Sequence, residues 1–352
     1  MKKKKHLYII YILLFICIFA WMFKKVTHIL SYKVHQNDTV GSFYKEKHDS
    51  IDVLFVGSSH SFSSFSPMGI WSDTGIASYN LATGSQTIPC SYYLIKEGIR
   101  TQHPKVIVLE TYGFQYDSDY MSEARLHEVV DNIPFNLTKL ELTQNLLSEH
   151  FDFHEKLEFI FPIIRYHTRW YSLGSKDIKP RKVYLRGFCL HNKIQRQEKP
   201  ELTTETGEIY QNNLEYFDKI IDLCEKNGIE LVLCQAPMGE SERYKSICQK
   251  TNTLKQYAED REIRFVDFEL LREEIELDYA MDFKNETHLN IIGAAKTTKY
   301  MGNYLRENFQ LPDHRGESNY LSWDEDYEKY SKTISKTTKK MLKSYRKKQQ
   351  GE

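Results

Sequence analysis

No C-x-x-C pair occurs among the six cysteines, Cys17, Cys90, Cys189, Cys224, Cys234 and Cys248. Neither a zinc cluster nor a redox dithiol is therefore indicated. Net charge is equally lacking: Lys+Arg and Asp+Glu both number 48, whereas a nucleic-acid binder carries a basic excess. No disulfide framework is expected. Cys17 lies in an apolar run, and the other five leave at least one thiol unpaired. Cys224 and Cys234 fall in an expected helix and strand, where a free cysteine serves as small apolar filler. His127, His150, His154, His167 and His191 offer no metal-ligand spacing beyond a loose His150/His154 pair, so they read as surface groups. Neither a metal nor an organic cofactor is expected.

What is present begins at the N-terminus. Lys2 to Lys5 form a cationic cluster, and Leu7 to Phe23 follow without a charge. Seventeen residues lie at the short end of what crosses a bilayer as a helix. A cleaved signal peptide would end in a small-x-small site, but Trp21, Met22, Phe23, Lys24 and Lys25 stand there instead. The run therefore reads as an uncleaved signal-anchor over 1–25. Its flanking charge bias keeps the N-terminus in the cytoplasm and puts the main domain outside, in a single-pass protein of the cell membrane. Residues 26–48 read as a polar stalk.

From residue 49 strands alternate with helices. Val53 to Val56 is a continuous apolar run, as in a strand covered on both faces. Ser66-Pro67 has the chemistry of a helix start. Further strands are expected at Tyr79–Ala82, Val106–Leu109, Leu231–Cys234 and Ile263–Phe268, with helices at 90–100, 210–224, 241–260 and after His288. This order predicts an α/β fold, a three-layer α/β/α sandwich on a five-stranded, mostly parallel, flavodoxin-like sheet. Residues 114–205 lose the rhythm and read as a helical insertion or cap within a domain spanning 49–312. The strongly charged segment 313–352 reads as a charged C-terminal tail, either mobile or a loosely docked helix.

Open parallel sheets bind ligands at the carboxyl ends of their strands. The first strand delivers Gly57, Ser58, Ser59 and His60 to that edge, and the third delivers Glu110 and Tyr112. A serine there needs a base. His288 stands in a polar loop before a helix, with Asp282 and Asn285 shortly before it. Such groups can hold an imidazole in the right tautomer.

These blocks, GSSH after the first strand, Thr83-Gly84-Ser85 after the second and Asn285-Glu286-Thr287-His288 near the end, resemble the SGNH/GDSL hydrolase superfamily. More narrowly they resemble its membrane-anchored cell-envelope members, the DltD-like teichoic-acid D-alanylation proteins and the alginate-acetylation proteins. The resemblance covers roughly 50–112 and 210–308. It implies Ser59 as nucleophile, His288 as base, and the N–H groups of Ser59 and Gly84 as oxyanion donors. Asn285 stands at the position of the expected acid, with Asp282 as a substitute. Ser58, His60, Glu110 and Tyr112 would line the site. Ser58 replaces the hydrolases' Asp, and the block that carries an oxyanion Asn is replaced by Glu110-Thr111-Tyr112. The implied function is O-acyl transfer or ester hydrolysis on a cell-envelope polysaccharide or teichoic-acid-like polymer. The implied partners are an acyl donor and a membrane-bound O-acyltransferase. The departures also admit a non-catalytic partner with a decayed site.

Overall fold

The structure, a computed structural model, describes residues 2–31, 39–117, 121–147, 151–174, 177 and 184–350. In chain order it runs α1 (Lys2–Ser31), α2 (Thr39–Phe43), β1 (Val53–Gly57), α3 (Ser59–Ser64), α4 (Pro67–Thr74), β2 (Ser78–Ala82), α5 (Ile88–Gln102) and β3 (Val106–Glu110). Helices α6 (Glu123–Val130), α7 (Leu137–Leu146), α8 (Phe153–Ile160) and α9 (Ile163–Tyr166) follow. Then come α10 (Gln211–Lys226), β4 (Glu230–Gln235), α11 (Tyr244–Glu259), β5 (Arg264–Asp267), the short β6 (Phe283–Asn285) and β7 (His288–Leu289), α12 (Ile291–Asn308) and α13 (Leu321–Gln349).

The chain divides into two compact units. The larger, Thr39–Val129 with Val183–Glu352, holds a five-stranded parallel sheet in the order β2-β1-β3-β4-β5. Helices flank it, so the expected α/β fold is present. Every residue of β1, β2 and β3 is buried, which is why Val53–Val56 of β1 and Val106–Leu109 of β3 read as unbroken apolar runs. Local chemistry sets the helix ends. Ser66 accepts from the Gly69 N–H with Pro67 at the first helical position, and Gly75 closes α4 in the left-handed conformation at φ 72°.

Of the two forms expected for the charged segment after 312, a mobile tail or a docked helix, the structure has the helix, α13. Trp323 is buried, 5.0 Å from Trp71 between ring centroids, with the Arg186 guanidinium 3.7 Å above its ring. The Trp71 indole N–H donates to Asp324 at 3.1 Å. An aromatic anchor and a few polar contacts offset the high charge of the rest of this helix. Residues 39–43, within the expected stalk, pack on the sheet: Thr39 donates to the Ala82 carbonyl, and the Tyr79 hydroxyl donates to the Thr39 carbonyl, both at 2.7 Å.

The smaller unit joins Met1–Asp38 to Val130–Lys182. Within α1, His6–Ser31 is long and apolar enough to cross a membrane. Asn136 and Asp152 cap α7 and α8, the latter through a reciprocal capping box with Glu155. All six cysteines are free thiols.

Candidate active site

The parallel register sets the site. Gly57 at the end of β1 pairs with Ala82 of β2, and Val56 pairs with Leu109 of β3. Ser58–Ser59, Thr83–Gly84 and Glu110 thus leave neighbouring strands at the same edge. Ser58 caps α3, its Oγ accepting from the His60 N–H at 3.3 Å, and this turn presents Ser59 at the first helical position. Gly57 is required here. It has φ +152°, and an added Cβ would lie 2.8 Å from Cβ of Glu110.

From 229 residues further along the chain, the β6–β7 hairpin brings His288 to the same point. Its Nε2 lies 2.8 Å from the Ser59 Oγ. The hairpin pairs Asn285 with His288, and the Asn285 Oδ1 lies 3.0 Å from the His288 Nδ1. The same oxygen accepts from the backbone N–H groups of Thr287 at 3.2 Å and His288 at 2.9 Å. Two backbone donors fix which end of the amide faces the ring, because an NH2 group could not accept from them. The ring must then donate from Nδ1. That leaves the Nε2 lone pair to accept from the Ser59 hydroxyl. Thr287 Oγ1, 2.9 Å from Nδ1, adds a second polar contact. Burial, assisted by the positive charge of Lys284, lowers His288 to about 4, so the ring is neutral at pH 7 and its Nε2 lone pair is available.

Asp282 does not take the orienting position. Its carboxylate accepts from Lys296 Nζ and from the Asp278 N–H, both at 2.7 Å. Its contacts join the turn at Asp278 to Lys296 of α12, and its carbonyl accepts from the Asn290 N–H. Burial raises its pKa, against the pull of Lys296.

Beneath Ser59 lies a fully buried carboxylate. Glu110 accepts from Ser58 Oγ at 3.1 Å and from the Tyr112 N–H at 3.0 Å. Burial pushes it up to about 7 despite these donors. Glu110 thus brings a carboxylate from β3 against Ser58 at the end of the neighbouring β1. His60 is buried and stacks on Tyr112 at 3.7 Å, 5.2 Å from the His288 ring. Burial and the neighbouring His288 hold its pKa well below the usual range. Over Gly84 sits the Arg125 guanidinium, where an added Cβ would meet Nη1 at 2.6 Å. Arg125 is also paired with Glu128 at 2.7 Å. Among the described hydrogen bonds, the Ser59 and Gly84 N–H groups donate none.

His191 was expected on the surface and instead belongs to the site. An extended segment crosses between α3 and β7, held by the Cys189 N–H on the Phe62 carbonyl and by the Ile291 N–H on the His191 carbonyl. The His191 ring lies 5.8 Å from that of His288, with its Nε2 3.0 Å from Ser63 Oγ. Burial, with Lys284 and His288 nearby, lowers it to about 3. No spacing in the sequence signals this approach. His127, also expected at the surface, is buried. His154 and His167 are exposed, and His150 lies outside the described residues.

The arrangement offers a hydroxyl in hydrogen-bond contact with a neutral imidazole of fixed tautomer. That is the geometry needed for an activated serine nucleophile.

No protein-family model matches the chain, and no curated protein matches it. Among solved structures it is similar to a Desulfitobacterium hafniense DCB-2 protein assigned to the lipolytic G-D-S-L family. That match has 11% identity and a TM-score of 0.38, over 71% of this chain and 97% of the other. It is also similar to a Bacteroides fragilis NCTC 9343 protein assigned as an acylhydrolase. There the identity is 12% and the TM-score 0.39, over 77% of this chain and 95% of the other.

Proposed function

We propose that this protein is a membrane-anchored, SGNH-like serine O-acyltransferase or esterase acting outside the cytoplasm on a cell-envelope polysaccharide or teichoic-acid-like polymer. The observation that carries this reading is the 2.8 Å contact between Ser59 Oγ and His288 Nε2, with Asn285 on the other ring nitrogen. His288 takes the Ser59 hydroxyl proton as Oγ attacks the acyl carbonyl of the donor. The Ser59 and Gly84 N–H groups receive the oxyanion, each such donor being worth about 3 kcal/mol in the transition state. Collapse breaks the acyl–donor bond, and His288 returns the proton to the leaving group. An acceptor hydroxyl, from a sugar or polyol for transfer or from water for hydrolysis, then gives its proton to His288 and attacks the acyl-serine. Ser59 is released with its proton restored.

The N-terminal lysines favour a cytoplasmic N-terminus, which places the site on the envelope side. There a membrane-bound O-acyltransferase would supply acyl groups. A second reading, a non-catalytic partner of such an enzyme, is favoured by the lack of a carboxylate on His288 Nδ1. The two readings separate in one experiment. Purified full-length protein in detergent is incubated with short-chain aryl esters, and both ester cleavage and the intact mass are followed. The catalytic reading expects turnover and an acyl adduct on the peptide containing Ser59, with both lost in Ser59→Ala. Equal rates for the two proteins, with no adduct, would leave the partner role.

A further inference from the structure

Within the smaller unit, α1 is covered by protein only beyond its apolar run. Leu7 to Met22 are all exposed along the helix, whereas Phe23, Thr27 and Leu30, spaced as one helical face, are partly or fully covered. The cover comes from the helical insertion. Phe161, just after α8, meets the Phe23 ring edge-on at 6.3 Å, and the Arg169 guanidinium donates to the Leu30 carbonyl. Packing therefore begins at the residue where the lipid-compatible run stops.

The insertion carries large apolar groups at this level. Phe135 stacks on Phe161 at 5.7 Å yet is 65% exposed, and Leu137 is 76% exposed. Trp170 and Tyr171, next to the Arg169 that grips Leu30, are 63% and 81% exposed. Their ring contact is with each other, at 4.4 Å. A soluble surface gains nothing from such a set. At the point where a helix leaves a bilayer, aromatic and apolar groups are favoured in the interfacial layer, and Trp and Tyr most of all.

We infer that the helical insertion rests on the bilayer surface around the exit of α1, with Phe135, Leu137, Trp170 and Tyr171 entering the interfacial lipid. The occupant of this face is lipid rather than another protein because the face is continuous with α1 through Phe23 and Phe161. The inference rests on α1 spanning the membrane. The insertion would then hold the base of the anchor at a fixed depth, in place of a lone helix ending in a free stalk.

The test uses the full-length protein in lipid nanodiscs containing a phospholipid with a photoactivatable diazirine high on its acyl chain. After illumination, lipid adducts are mapped by peptide mass spectrometry. Adducts are expected on peptides containing Phe135–Leu137 and Trp170–Tyr171 as well as on α1. Phe135→Glu with Leu137→Glu should remove the adducts at 170–171 while those on α1 remain. Adducts on α1 alone would overturn the inference and leave the anchor intact. Adducts on neither would overturn both. If the insertion is unlabelled by lipid yet protected from water-soluble modification in native membranes, a protein partner covers this face and the lipid assignment is wrong.

Discussion

Replacing Asn285 by Asp tests the proposed role of the His288 ring most directly. The substitution keeps the size of the side chain and puts a negative charge 3.0 Å from Nδ1. At an effective dielectric of about 20, unit charges at that distance attract by about 5.5 kcal/mol, or roughly four pKa units. Partial exposure and screening reduce this to the usual range of about 1–3 units for a neighbouring opposite charge. The backbone donors from Thr287 and His288 suit a carboxylate at least as well as an amide oxygen. His288 starts at about 4, so the acidic limb of the rate profile should move up to between about pH 5 and pH 7. The imidazolium formed in the transition state gains the same stabilisation, so turnover at neutral pH should rise by about 10- to 1,000-fold where acylation limits the rate. Asn285→Ala should lower it instead, by about 100- to 10,000-fold, since the tautomer is no longer held. The assay is ester cleavage across about pH 4 to pH 9, with the ring titration followed by NMR. An Asp variant with an unmoved acidic limb and an unshifted ring titration would refute the tautomer argument, because Asn285 could not then face the ring in solution.

Other perturbations read the surrounding structure. Gly57→Ala should cost at least about 2 kcal/mol, from a strained backbone and a Cβ forced against Glu110; denaturant unfolding measures it. Glu110 has a folded pKa, about 7, above its usual 4.5. Its favourable contribution is complete below pH 4.5 and is lost as pH rises through 7, about 3 kcal/mol in all. Urea midpoints should therefore fall over this range, and Glu110→Gln should flatten the slope. His288 and His191 run the other way, with folded values lowered to about 4 and about 3. Their contribution is present above pH 6.5 and lost as pH falls toward those values, so acid unfolding should begin well above pH 3, and a His191→Phe variant should resist it longer. Trp323→Ala should cost about 3–5 kcal/mol and release α13; hydrogen exchange should then speed up along 321–349 and not in β1.

Much of this molecule is local and could be read from the chain alone. The sheet strands are short buried runs, so Val53–Val56 and Val106–Leu109 announced themselves by composition. The start of α4 lay in Ser66-Pro67. The meeting of Ser59 with His288 was anticipated through the resemblance of their motifs to the SGNH/GDSL blocks, not through local chemistry. Matters that depend on packing between distant segments were not. Asn285 rather than Asp282 faces the imidazole because of the pairing of a two-strand hairpin, and either spacing is compatible with the sequence. His191 reaches the site through backbone bonds of an extended segment that has no periodicity. Glu110 meets Ser58 because β3 lies beside β1, an adjacency of strands separated by a strand and helices in the chain. The charged C-terminal segment is a docked helix because Trp323 finds Trp71 and Arg186 across the fold. Composition reports the average solvent preference of a segment, and one buried indole can override it.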